Sequence, residues 1–127
     1  MRVAHESAAG AERTLATTVE FADGLFSQGI GLMFRRSVPD DFALVFRFGR
    51  VTTRGLHMVF VPFDIDAVWL VDGEVQAVER MRAWRGTGRA KADTVIELPA
   101  GAADGVEPGD TVRVLDETGA DVTAGEG

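Results

Sequence analysis

A chain of 127 residues with 46% hydrophobic side chains is long enough for one domain with its own core and short for two. It has no cysteine, which excludes disulfides, thiolate metal sites and cysteine nucleophiles. Its 20 acidic residues against 13 basic ones leave a net charge of −7. That balance counts against non-specific binding to nucleic-acid phosphates.

Lys91 is the single lysine. Acidity with almost no lysine predicts a halophilic source, where salt screens dense surface carboxylates. The start of the chain has no apolar signal-type segment, and no run of about 18 apolar residues occurs. A soluble, cytoplasmic protein is therefore expected. Residues 1–12, small and polar, are expected to be a flexible segment that includes His5. A single β-rich domain is expected over 13–117, and a flexible acidic tail over 118–127.

In chain order, residues 14–21 (TLATTVEF) alternate, with Leu15, Thr17, Val19 and Phe21 on one face, which predicts one half-buried strand. The period then changes. Phe26, Ile30, Met33 and Phe34 recur at helical spacing behind Asp23 as an N-cap, predicting a short helix near residues 24–34. Gly29 and Gly31 weaken it by about 1 kcal/mol each, so close approach of another backbone is expected there. The stretch 42–48 (FALVFRF) alternates with Phe42, Leu44, Phe46 and Phe48 inward. Residues 55–63 (GLHMVFVPF) are almost continuously apolar, predicting a strand covered on both faces and ending at Pro62. Asp72-Gly73 sits between two strand patterns and is the best hairpin signal in the chain. Residues 82–93 (RAWRGTGRAKAD) read as a basic, glycine-bearing loop, 94–101 as a short strand, and 110–116 as a last strand with Val112 and Val114 inward. The pattern predicts a mainly β (β-rich α+β) fold: a compact sandwich or partly closed barrel of six to eight short strands with one helix.

Three segments carry a resemblance. Glu20, Ala22, Asp23, Gly31, Leu32, Met33 and Arg35 lie in the first; Pro62, Asp64, Ile65, Asp72, Gly73 and Val75 in the second; Glu97, Pro99, Ala100, Gly101, Gly109 and Asp110 in the third. In this order they resemble the domain of unknown function 192 family, over residues about 14–116. The resemblance implies a compact β fold with one helix and no assigned activity. The chain departs from the family pattern before Pro62, where an Asn and a Thr are missing. Gln28 and Ile30 stand where the family often has arginines.

The candidate pocket groups are Arg35, His57, Asp64, Asp66 and Glu97. Arg35, at the predicted helix end, is expected to pair with Asp64 or Asp66. Asp64 and Asp66, two apart on a strand, share a face and offer acid–base or hard-cation chemistry. His57 reads as a core or pocket histidine. Glu97, flanked by Ile96 and Leu98, must find partners or change its pKa. A metal set of His57, Asp64, Asp66 and Glu97 matches no known ligand spacing, and neither metal nor cofactor is expected. Arg80, Arg82, Arg85, Arg89 and Lys91 around Trp84 form a candidate patch for a phosphate, an acidic partner or single-stranded nucleic acid. No nucleotide-binding glycine fingerprint and no serine-nucleophile motif occur.

These readings favour a small ligand-binding or interaction module without catalytic apparatus. It would take a small ligand or a protein partner, sit on no membrane, and be a monomer or weak homo-oligomer. The alternatives are an acid–base or metal enzyme built on Asp64, Asp66 and Glu97, and an acidic-partner or nucleic-acid binder built on loop 80–91.

Overall fold

The computed structural model describes residues 1–23 and 31–124. Eight strands form one sheet: β1 (Arg2–Glu6), β2 (Glu12–Ala16), β3 (Thr18–Phe21), β4 (Phe42–His57), β5 (Ile65–Val71), β6 (Glu74–Met81), β7 (Thr87–Pro99) and β8 (Thr111–Leu115). Their order is β2-β1-β8-β6-β5-β7-β4-β3. β2 and β3 are consecutive in the chain, separated by Thr17 alone, yet they form the two opposite edges. A flat eight-stranded sheet would hold its edges far apart, since neighbouring strands lie about 4.8 Å from one another. The sheet therefore curls until its edges meet at Thr17, giving a barrel that stays open because β2 and β3 do not pair.

Curling gives the sheet an inside and an outside. Inside, Val3, Leu15, Val45, Val68, Ile96 and Val114 come from six strands and form the first core. Outside, on β4, β5 and β7, Phe42, Leu44, Phe46, Ala67, Trp69 and Val95 form a second core, closed by Leu32, Met58 and Val61 from loops. The central strands are thus apolar on both faces. Burying a large aliphatic or aromatic side chain stabilises by roughly 1.5–3 kcal/mol, which makes two cores from a short chain worthwhile.

The β5–β6 hairpin turns at Asp72-Gly73 with φ of 48° and 79°, the two positive values that a type I′ turn requires. Val112 and Val114 are fully buried, as their alternation predicts.

Several expectations are corrected. No helix occurs among the described residues. Of the predicted helix, 24–30 lie outside them, and 31–34 form a turn with Gly31 at φ 52° and Phe34 at φ 68°. Residues 2–6, expected to be flexible, form β1, which pairs with β2 on one side and β8 on the other. The expected strand 14–21 is broken at Thr17, where the chain passes from one sheet edge to the other. The expected strand 55–63 ends at His57. Beyond it Met58 and Val61 are buried while Val59 and Phe60 are exposed. The expected loop 82–93 is a turn followed by the first half of β7, paired with β4 from Thr52↔Ala92 to His57↔Thr87. In the expected acidic tail, Val122 N–H donates to the Val114 carbonyl at 2.8 Å, and the Thr123 hydroxyl accepts from Val114 N–H at 2.8 Å. No helix among the described residues is long and apolar enough to cross a membrane.

Candidate functional site

Strand register decides which candidate residues can meet. Glu97 on β7 lies opposite Leu44 of β4 and Ala67 of β5, so its side chain enters the outer core. Asp66 lies opposite Leu98, one residue out of phase, and points to the other face of the sheet. The two carboxylates are therefore separated by the sheet itself.

Glu97 is 4% exposed, beneath the turn 31–34. A Cβ at Gly31 would lie 3.3 Å from Glu97 Oε1 and 3.3 Å from the Phe46 ring. No hydrogen-bond donor among the described residues reaches the carboxyl group. Burial pushes its pKa from 4.5 up to about 7, against the opposing pull of the Arg35 charge. Arg35 is held elsewhere: its Nη1 donates to Glu20 Oε2 at 2.9 Å, and its guanidinium lies 5.4 Å from the Phe42 ring centre. The expected partners Asp64 and Asp66 are corrected to Glu20, with Glu97 as a second, longer-range charge.

The remaining pocket candidates are not assembled around Glu97. Asp66, 3% exposed, accepts from Gly101 N–H at 2.9 Å and Ala103 N–H at 3.0 Å, and holds Arg80. It anchors the loop after β7. Asp64 is exposed and accepts from Ala83 N–H at 2.8 Å, which ties the segment before β5 to the turn after β6. The two acids thus serve two different loops and do not form a carboxylate pair. His57 is exposed rather than buried, and its Nδ1 accepts from Val59 N–H at 3.3 Å. No group of three or more potential ligands able to hold a metal ion occurs among the described residues.

The better-placed histidine is His5, 4% exposed. Its Nε2 lies 2.8 Å from Asp110 Oδ2, and Arg13 Nε donates to its Nδ1 at 3.4 Å, which makes Nε2 the protonated nitrogen. Hydrogen bonds from His5 and from Glu107 and Ala8 N–H hold the Asp110 carboxyl below its usual range. The pair locks β1 to the turn before β8. The pair is hidden in the sequence because His5 lies in a small, polar stretch that carries no strand pattern.

The basic segment divides in two. Arg80 is taken by Asp66 and Asp104. Arg82, Arg85, Arg89 and Lys91 are exposed and make no ion pair among the described residues. Turn 82–86 packs beside two others. Trp84 N–H donates to the Val61 carbonyl at 3.0 Å, Met58 N–H to Gly86 at 3.0 Å, and Phe34 N–H to Phe60 at 2.9 Å. Each turn presents an aromatic ring: Phe34 is 68% exposed, Phe60 50% and Trp84 57%. All three have left-handed backbones, with φ of 68°, 59° and 69°. Phe34 and Phe60 stack with centroids 4.9 Å apart. The sequence signalled Trp84 through its arginines. Phe34 and Phe60 were hidden inside apolar runs that read as helix and strand.

Two clefts lined by described residues lie elsewhere. Asp72, Asp93, Thr94, Asp121 and Thr123 line one of about 310 Å³, and His5, Glu6, Glu12 and Arg113 are among those lining one of about 170 Å³. In the first, two of the acids are engaged: Asp93 accepts from Asp72 N–H at 3.0 Å and the Thr94 hydroxyl at 2.9 Å, and Asp121 lies 3.7 Å from Arg113.

An open β-barrel with an outer core on one flank, and no assembled catalytic group among the described residues, is the class of protein that these features define. The chain belongs to the domain of unknown function 192 family, described as "Uncharacterized ACR", whose profile matches residues 6–114. It is similar to the crystal structure of a candidate transcription regulator from Sinorhizobium meliloti 1021. That match has 27% identity and a TM-score of 0.76, covering 87% of this chain and 90% of that one. It shares its fold with a protein of unknown function from Novosphingobium aromaticivorans DSM 12444, at 22% identity and a TM-score of 0.76, covering 90% of this chain and 84% of that one. No curated protein matches the chain significantly.

Proposed function

We propose that the protein is a non-catalytic interaction module that binds its partner through the face formed by turns 31–36, 58–63 and 82–86. One observation carries this reading: three exposed aromatic residues on three adjoining turns all adopt left-handed backbones. Such a conformation costs a residue with a Cβ about 1–2 kcal/mol. Glycine or asparagine would sit there more easily, and an exposed ring recovers little burial energy in exchange. Retaining Phe, Phe and Trp at a cost to stability is what a binding face does. The description of the Sinorhizobium meliloti protein as a candidate regulator agrees with a binding role.

An acid–base role for Glu97 has less support. Its pKa of about 7 suits proton transfer, but Asp64 and Asp66 are committed to backbone N–H groups of other loops. The discriminating measurement needs no partner. Phe34→Asn, Phe60→Asn and Trp84→Asn are compared with the parent by urea unfolding. Backbone relief and the lost Phe34–Phe60 stack, worth about 0.5–1.5 kcal/mol, should roughly cancel, leaving stability within about 1 kcal/mol or raised. A loss above about 2 kcal/mol in each variant would make the rings structural and remove the reading.

A further inference from the structure

We infer that the partner of this face is a single strand of nucleic acid, an inference that rests on the interaction reading above. The net charge of −7 conceals a strongly uneven distribution. Arg2, Arg35, Arg47, Arg80 and Arg113 hold carboxylates. Arg13 is engaged by the Asp104 carbonyl and His5. Arg54 donates to the Arg50 and Ala92 carbonyls and lies 4.0 Å from the Phe48 ring centre. The remaining cations are Arg36, Arg50 and, within 82–91, Arg82, Arg85, Arg89 and Lys91.

Arg36 follows the turn that carries Phe34, and Arg82 and Arg85 flank Trp84. Arg89 and Lys91 share one face of the two-stranded ribbon, opposite Gly55 and Thr53, whereas Arg54, opposite Ala90, points to the other face. That ribbon runs out of turn 82–86 through Thr87↔His57, so Arg89 and Lys91 lie a few residues along it from Trp84. Six ribbon residues per strand extend it by about 20 Å. Of the acids nearby, Asp64 uses Oδ1 to accept from Ala83 N–H, and Glu79, whose Cγ lies beside Gly88, keeps an exposed carboxylate at the flank of the ribbon.

Exposed rings followed by a line of unpaired cations fit bases and phosphates respectively. Each base offers a face for stacking, worth about 1–3 kcal/mol on an aromatic side chain, and single-strand sites span about 4–16 nucleotides. A duplex fits less well, because its bases are stacked inside and cannot reach the rings. An acidic peptide would satisfy the arginines but has no repeating flat groups for three separate rings.

The test uses the full chain and a fluorescein-labelled (dT)12 strand, read by anisotropy. Saturable binding is expected, weakening about 10-fold between 50 and 200 mM KCl, as two or three phosphate contacts on a single strand require. Trp84→Ser should weaken it at least 5-fold, and Arg85→Ser with Arg89→Ser should weaken it and flatten the salt dependence. An abasic 12-mer, with the same phosphates, should bind at least 5-fold more weakly. Equal binding of the abasic strand, or of a 12-base-pair duplex, overturns the inference. So does Trp84-dependent binding of a Glu/Phe-rich peptide when (dT)12 does not bind, although the face would then stand as an interaction surface. Absence of (dT)12 binding at 50 mM KCl also overturns it, and the asparagine variants decide separately whether the face itself survives.

Discussion

Gly31 lies directly over Glu97: the position of a Cβ on residue 31 is 3.3 Å from Glu97 Oε1. The turn that begins at this glycine carries Phe34 to the surface and Arg35 toward Glu20, so one backbone crossing covers the buried acid and displays the exposed ring.

The first prediction concerns the proton on Glu97. Its pKa rises from 4.5 in the unfolded chain to about 7 in the fold, chiefly through burial. Between those values the folded protein holds a proton that the unfolded chain has released. Its contribution is fully present below pH 4.5 and is lost as pH rises through 7, by up to about 3 kcal/mol in total. Glu97→Gln, which stays neutral, should be more stable than the parent at pH 8 and about equal to it at pH 5. Urea midpoints across pH 4–8 measure this. A parent and variant with parallel pH profiles would show that Glu97 is already ionised in the fold.

Gly31 supplies a second. Alanine there would adopt φ 52° and crowd both Glu97 and Phe46. The left-handed backbone alone costs about 1–2 kcal/mol, and neither neighbour retreats freely from a packed core. Gly31→Ala should therefore lose about 2–3 kcal/mol, whereas Gly49→Ala, at φ 82° with open space around it, should lose only the backbone part. Equal losses at the two positions would mean that the turn moves to make room.

These residues also show what the sequence discloses and what it hides. The Asp72-Gly73 hairpin, the alternation around Val112 and Val114, and Phe42, Leu44 and Phe46 are local patterns, and the fold follows them. The apolar run at 58–61 is ambiguous because a loop that caps an outer core needs the same residues as a strand, and only tertiary context exposes Val59 and Phe60. Asp64 and Asp66 read as a pair because period-2 spacing says which face they share. It does not say that Asp64 precedes the strand and that each acid is claimed by a different loop. Glu97 was legible as a buried carboxylate from its apolar neighbours. The ring trio was not, since three turns distant in sequence had to be brought together first.

Asp66 gives a third prediction. It accepts two backbone N–H groups of the loop after β7 and holds Arg80. Removing it leaves the N–H groups of Gly101 and Ala103 without their acceptor, the latter in a buried bond. Asp66→Ala should cost about 3 kcal/mol, while Arg80→Ala, whose side chain is half exposed, should cost clearly less. Denaturant unfolding of both variants measures the difference. Comparable losses would place the energy in the ion pair rather than in the loop anchor.

The acidic surface gives the last. Asp23, Glu20 and Glu12 meet arginines, but Asp40, Glu74, Glu79 and Glu107 are exposed and have no cationic partner among the described residues. Folding brings such charges closer together than in the unfolded chain, and their repulsion opposes it. The screening length shrinks from about 10 Å at 0.1 M salt to about 3 Å at 1 M, which removes most of that repulsion. The thermal midpoint should therefore rise between 0.1 and 2 M KCl. Part of any rise would be general to salts excluded from protein surfaces. A charge-reduced variant, with Glu74, Glu79 and Glu107 changed to Gln, separates the two causes: its midpoint should start higher at 0.1 M KCl and climb less. If the variant climbs as steeply as the parent, self-repulsion is not what salt relieves, and the acidic balance has no part in stability.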